Sequence, residues 1–257
     1  MTEGSSSGHS TELNYFDYAA IDDLPEVAIR IGMLAKRLDA DARNKPGSRV
    51  LEIGLGAGDV TLMLSRRFQN IICLDQERNV VEHVRVRIQG EAVPLPAFVE
   101  AKVEDSEFPP EYFDNIILFG ILEHVQDPVR TLRRISQWLR PGGKIYITVN
   151  LANSIHRMLG VAMGIIGSVT ELSDSDRRIG HYRIYTLAEL KQNIADAGLS
   201  ISYERNFYLK PLPTSMLSEL PMDVHLGLSK LGEAIPEYAS YVYVEAEGTL
   251  PITDGQR

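Results

Sequence analysis

The sequence predicts an α/β protein built on a doubly wound, mostly parallel sheet. Three observations predict it. Short apolar runs alternate with helical patterns between residues 49 and 150. A glycine-rich turn joins the first of these runs to the helix behind it. Two more apolar runs, at 200–209 and 239–247, lie beyond the alternation and read as an antiparallel hairpin at one edge of the sheet.

Taken in order, residues 1–12 are polar and rich in Ser and Gly, the composition of a disordered tail. Residues 13–22 carry the aromatics Tyr15, Phe16 and Tyr18. From 23 to 40, Val27, Ile31, Leu34 and Leu38 recur at helical spacing, with Asp23 and Pro25 suited to a helix start. NKPGS, 44–48, is a turn. RVLEI, 49–53, reads as a buried strand, 59–69 as a helix, and NIICLD, 70–75, as a second strand. A helix at about 77–89, a strand at 97–103 and a strand at 114–119 follow. The helix at 128–139 places Trp138 on its apolar side, and PGG turns the chain into a fifth strand, 144–150. Regularity breaks over 151–185, which reads as an insertion. It returns with a helix at 186–199, where Thr186 and Glu189 form a capping-box pattern and Gly198 suits the end. A helical excursion at 214–232 separates the two late strands.

Composition narrows the function. A chain of 257 residues with 44% hydrophobic and 24% charged residues has the make-up of a globular domain, not a disordered or fibrous one. Acidic residues outnumber basic ones 35 to 26, which argues against a nucleic-acid footprint. The single cysteine, Cys73, excludes an internal disulfide and a cysteine-rich zinc site, and no histidine–carboxylate cluster has metal spacing. The longest apolar run, 158–169, is far short of the ~20 residues that span a bilayer. The start has no secretory signal, so the expectation is a cytoplasmic protein with no membrane partner.

The chemistry begins at VLEIGLGAG, 50–58. Gly54, Gly56 and Gly58 stand where a strand hands over to a helix, a place that needs either a tight turn or a close ligand. The residue after them is Asp59, where the dinucleotide fingerprint would want a third glycine. Asp59 either takes the place of a pyrophosphate at the helix start or caps that helix. Glu52, inside the apolar strand, calls for a cationic ligand or an arginine. Asp75 ends the second strand, where an acid accepts from ribose hydroxyls. An acid for the ribose without a pyrophosphate signal points to S-adenosylmethionine, and away from a nucleotide-binding dehydrogenase.

The sequence then resembles the class I S-adenosylmethionine-dependent methyltransferases. VLEIGLGAG looks like their first motif, LDQ at 74–76 like the acidic ribose loop, and 112–149, with LEHV, DP and LRPGG in order, like the stretch from fourth to fifth strand. The resemblance covers about residues 48–150. It implies a seven-stranded Rossmann-like sheet with a reversed last strand and helical insertions. It also implies that Glu52, Gly54, Gly56 and Gly58 line the methionine side of the cofactor, with Asp75 at the ribose and Gln76 beside the adenine. Val103 with Glu104 or Asp105 would meet the adenine edge. Lys102 stands where the family often has an acid, so which side chain reads the adenine amine stays open. Phe119 and Gly120 would close over the cofactor; Tyr15 and Tyr18 would either face it from the N-terminal side or pack the first helix. S-adenosylhomocysteine would be the product.

An amine or hydroxyl acceptor loses a proton, so a base helps. His124, in LEHV at the carboxyl edge of the sheet, and His181, in RRIGHYRIYT, are the candidates. His124 could instead only fix its loop. Tyr182, Arg183, Tyr185 and, more weakly, His156 are candidates for the acceptor wall. The loop around His181 could equally be solvated and paired to Asp174 or Asp176. The run 158–169 could be a lid, an oligomer contact or core. The expectation is one domain over 13–257, with a helical cap at 13–45 and acceptor-side insertions at 151–185 and 211–238. Its function would be methyl transfer to an oxygen or nitrogen of a small molecule, such as a sugar, amino-sugar or secondary-metabolite intermediate. A homo-oligomer is compatible with this reading. A protein or RNA acceptor, or a fold that binds cofactor without turnover, are the alternatives.

Overall fold

The computed structural model describes residues 25–41 and 43–248. The predicted tail, Tyr15, Phe16 and Tyr18 lie outside these residues. The sheet has the order β3-β2-β1-β4-β5-β7-β6. Its strands are β1 (Arg49–Ile53), β2 (Asn70–Asp75), β3 (Ala97–Glu100), β4 (Phe113–Phe119), β5 (Leu139–Asn150), β6 (Leu199–Phe207) and β7 (Tyr241–Gly248). The first five run parallel, and β7 is antiparallel to both β5 and β6. The reversed last strand is therefore slotted inside the edge, between β5 and β6.

Helices α1 (Pro25–Ala40), α2 (Asp59–Ser65), α3 (Arg78–Gln89), α4 (Pro128–Trp138) and α5 (Ile155–Ala162) precede α6 (Asp174–Arg178), α7 (Leu187–Asp196), α8 (Thr214–Leu217) and α9 (Met222–Ala234). Strand alternation sorts them onto two faces. Leu51 and Ile53 of β1 join a core with Leu132 and Ile135 of α4 and Leu190 and Ile194 of α7. Val50 and Cys73 join the other, with Leu34 of α1, Leu64 of α2 and Val84 of α3. The parallel strands, covered on both faces, can be apolar at nearly every position.

Several boundaries differ from the sequence reading. β3 stops at Glu100, and Val103–Asp105 form a 3₁₀ turn. β5 begins at Leu139, so PGG lies within the strand; the register with β4 shifts there and Gly142 takes φ 76°. The excursion at 214–232 is two helices, divided where Pro221 stands before α9. At α7 both halves of the capping box are made: Glu189 N donates to Thr186 Oγ1 at 3.2 Å, and Thr186 N donates to Glu189 Oε2 at 2.9 Å. No described helix is long and apolar enough to cross a membrane.

Candidate active site

The strand order reverses direction between β1 and β4, and at such a switch point the loops leaving neighbouring strands diverge and open a crevice. A cavity of about 1290 Å³ lies there, above the carboxyl ends of the strands. That exceeds the roughly 300–1,000 Å³ of a single-ligand pocket, so it has room for two ligands side by side.

One end is built by the glycine turn. Gly54 (φ 79°) and Gly56 (φ 51°) both line the cavity in the left-handed region that only glycine enters freely. A Cβ on Gly54 would land inside the Ile121 side chain. Asp75 faces this turn. Its Oδ2 accepts from Leu55 N and its Oδ1 from Glu77 N, both at 2.9 Å. Burial raises its pKa, and the amide donors oppose the rise. A carboxylate has about four lone-pair positions, so acceptor capacity remains for two hydroxyls. Gln76 and the 3₁₀ turn Val103, Glu104 and Asp105 form the next wall, with Phe119 and Gly120 above β4. A nucleoside with vicinal hydroxyls fits this set.

The other end is polar and deeper. The loop after β4 carries Glu123 and His124, and the turn after α6 brings His181 and Tyr182 against them. Tyr182 N donates to Glu123 O at 2.8 Å, which joins the two loops. The imidazoles of His124 and His181 meet edge to face, with centroids 4.6 Å apart. Burial, with His181 adding to it, pulls the His124 pKa down to about 4. His181 Nδ1 stands 3.6 Å from Asp176 Oδ1. Burial of Asp176 is outweighed by His181, Ser173 and Arg157, which hold its carboxyl below the usual range. Glu123 is fully buried; its Oε1 accepts from Asn150 N at 2.9 Å. Burial raises its pKa.

Not every predicted residue reaches the cavity. Alternation turns Glu52 to the Val50 side of β1, under α2, where its Oε2 accepts from Thr61 Oγ1 at 2.8 Å and from the Cys73 thiol at 3.5 Å. Gly58 also lies off the cavity: its φ of 93° and the approach of Val84 to any added Cβ make it a helix-packing glycine. Asp59 makes no cap; it pairs with Arg87 of α3, whose Nη1 also donates to Ala57 O at 2.5 Å. Arg183 holds the Leu122, Val125 and Gln126 carbonyls. Tyr185 is buried in the core and accepts from Asn193 at 3.2 Å. His156 packs against the loop at 210, with its N–H on Lys210 O at 2.9 Å. The run 158–169 lies off the cavity as well, with Met158, Leu159, Met163 and Ile165 exposed.

The cavity also holds side chains the sequence did not single out. Glu123 sits in the same LEHV as His124, and a carboxylate amid an apolar loop start was the available signal. Glu26 looked like an ordinary acid of a first helical turn, and Lys210 like a loop cation. Only the packing of α1 against the start of β7 brings them together with Arg30 and Tyr241.

The fold and this cavity define a doubly wound domain with a crevice at the switch point whose lining fits a nucleoside. Residues 51–147 match the methyltransferase domain family. The chain is 26% identical to a ubiquinone biosynthesis O-methyltransferase of Aeromonas salmonicida, over 70% of this chain and 74% of that protein. It is 30% identical to the ubiquinone/menaquinone biosynthesis C-methyltransferase UbiE of Vibrio vulnificus, over 51% of each. Among solved structures it resembles a geranyl diphosphate C-methyltransferase from Streptomyces coelicolor, held with Mg²⁺, geranyl diphosphate and S-adenosylhomocysteine. That likeness has TM-score 0.59 at 15% identity and covers 85% of this chain and 77% of the other. The chain is thus similar to methyltransferases, through a methyltransferase domain at residues 51–147 and through relatives that span most of its length.

Proposed function

We propose that the chain is an S-adenosylmethionine-dependent methyltransferase that acts on an oxygen or nitrogen of a small molecule held at the polar end of the cavity. The observation that carries the reading is the His124–His181 pair backed by Asp176 on that wall. Bound S-adenosylmethionine supplies a methyl group made electrophilic by its sulfonium. The chain's own work is to orient the acceptor and to take its proton. His181 is the base in this proposal. The carboxylate of Asp176 orients its ring and stabilises the imidazolium that forms, the logic of a base steadied by a third group. His124 stays uncharged near neutral pH, so it does not repel that imidazolium. Gly54, Gly56, Asp75, Gln76 and the 103–105 turn are proposed to hold the cofactor. Tyr182 is proposed to line the acceptor side, and the names of two relatives, an O-methyltransferase and a C-methyltransferase of ubiquinone biosynthesis, support a small-molecule acceptor.

The test is a panel of hydroxyl and amine acceptors, with sugars and amino-sugars included, assayed by S-adenosylhomocysteine release. His181→Ala should lower kcat by roughly 10²–10⁴ with cofactor affinity kept. Asp176→Asn should lower it less and shift the pH–rate profile. Wild-type rates in His181→Ala across pH would leave alignment alone as the mechanism. Turnover confined to protein or RNA acceptors would overturn the small-molecule reading.

A further inference from the structure

The polar end of the cavity has a second cluster, away from the histidines. Glu26 and Arg30 come from the first turns of α1, Lys210 and Thr214 from the loop and helix after β6, and Tyr241 from the start of β7. Glu26 is buried, and its Oε1 accepts from Tyr241 Oη at 3.2 Å. Lys210 Nζ stands 3.6 Å from that same oxygen and donates to Thr214 Oγ1; its side chain is only 12% exposed. The Arg30 guanidinium lies 5.5 Å from the centroid of the Tyr241 ring, and among the described residues its buried Nε has no hydrogen-bond partner. Two cations therefore line this wall, and its one nearby carboxylate, Glu26, pairs with Lys210. The other acids near them are occupied or weakened. Asp176 is paired to Arg157 at 3.1 Å, and burial of Glu123 favours its protonated form.

A buried positive charge without full compensation is costly, and a site that keeps one gains when an anion arrives. Burial lowers the pKa of Lys210, and Glu26 opposes the fall. We infer that Arg30 and Lys210 form a subsite for an anionic group, a carboxylate or a phosphate monoester, carried by the methyl acceptor. Thr214 and Tyr241 orient the two cations, and Glu26 keeps Lys210 in place when the subsite is empty of ligand. The inference rests on the acceptor-end reading above and adds the charge of the acceptor to it.

The experiment loads the full chain with S-adenosylhomocysteine and titrates it with matched probes: benzoate against benzamide, and phenyl phosphate against phenol. Each anion should bind about tenfold or more tighter than its neutral partner, as a charged hydrogen bond of about 1.5–3 kcal/mol predicts. The tighter of the two anions identifies carboxylate or phosphate as the group. Lys210→Met and Arg30→Met should each remove most of the preference and leave S-adenosylhomocysteine affinity unchanged. Glu26→Gln should strengthen anion binding, and the double variant Glu26→Gln/Lys210→Met covers the case in which Lys210→Met alone fails to fold. Equal binding of charged and neutral probes, or no saturable binding of either anion, overturns the inference. So does loss of S-adenosylhomocysteine affinity in Arg30→Met or Lys210→Met with the probe preference intact, because the cations would then serve the cofactor. A wild-type chain that binds no S-adenosylhomocysteine would instead sink the site reading on which the inference stands.

Discussion

His124 is a histidine whose environment settles its charge. Burial holds its pKa at about 4 against an ordinary 6.5, and burial with Lys210 nearby holds that of His156 at about 3. Folding therefore favours the neutral ring in both. Above about pH 6.5 neither the folded nor the unfolded chain protonates these rings, and their contribution is fully present. As pH falls from 6.5 toward 4 the unfolded chain takes up protons that the folded chain refuses, and stability is lost. The gap between 6.5 and about 4, at about 1.4 kcal/mol per pH unit, sets an upper magnitude of about 3.5 kcal/mol for His124. His124→Asn should flatten the slope of stability against pH between 6.5 and 4 in chemical denaturation. An unchanged slope would mean that His124 titrates in the folded chain as it does in solution. The same residue scale explains the glycines. Gly54 is required by its φ and by Ile121 at the cavity, and Gly58 by its φ and by Val84 in the helix packing.

At the scale of elements, α1 matters most, because it carries Glu26 and Arg30 into the cavity. Its far end is tied to the sheet through Glu245 of β7, which is buried. Arg37 Nη2 donates to Glu245 Oε2 at 3.0 Å, and Lys144 Nζ of β5 donates to the same oxygen at 2.8 Å. Burial would raise the Glu245 pKa, and these two cations more than reverse it. Glu245→Ala would leave Arg37 without its carboxylate and Lys144 with only Asp41 and Glu247; breaking a fully buried pair costs roughly 3–5 kcal/mol. Arg37 is 35% exposed, so the loss should lie near the lower end. Hydrogen exchange should then rise in α1 before it rises in β1 or β4. A uniform rise across the sheet would show that α1 has no separate dependence on Glu245. Asp59 with Arg87 makes a comparable tie between α2 and α3, partly exposed and so worth less.

At the scale of the whole molecule, the cavity is assembled from the segments that follow six strands, β1 to β6, so a ligand that fills it links elements far apart in sequence. S-adenosylhomocysteine should raise the melting temperature with the logarithm of its concentration above Kd, the stabilisation reaching about 2.7 kcal/mol at a hundred times Kd. Asp75→Ala should abolish that rise while leaving the melting of the free chain close to wild type. A preserved rise in Asp75→Ala would remove Asp75 from the cofactor site.

Periodicity and turn chemistry determined much of this molecule. Alternation of apolar runs and helices is local information, and the starts of β1 and β2, the capping box of α7 and the glycine turn were readable because each depends on neighbours within a few residues. The acid at the end of β2 followed from the same local logic. What only the tertiary structure decided depends on contacts distant in sequence. Glu52 turned beneath α2 because strand parity and Thr61 claimed it, and Asp59 went to Arg87 because α3 packs beside α2. Tyr185 and Arg183 were absorbed by the core and by carbonyls of the loop after β4, while Glu123 was brought to the cavity by that same loop. Glu26, Arg30 and Lys210 meet at one wall although more than 180 residues separate the first from the last. No spacing rule reaches that far, because the slotting of β7 between β5 and β6 is what sets α1 against the loop after β6.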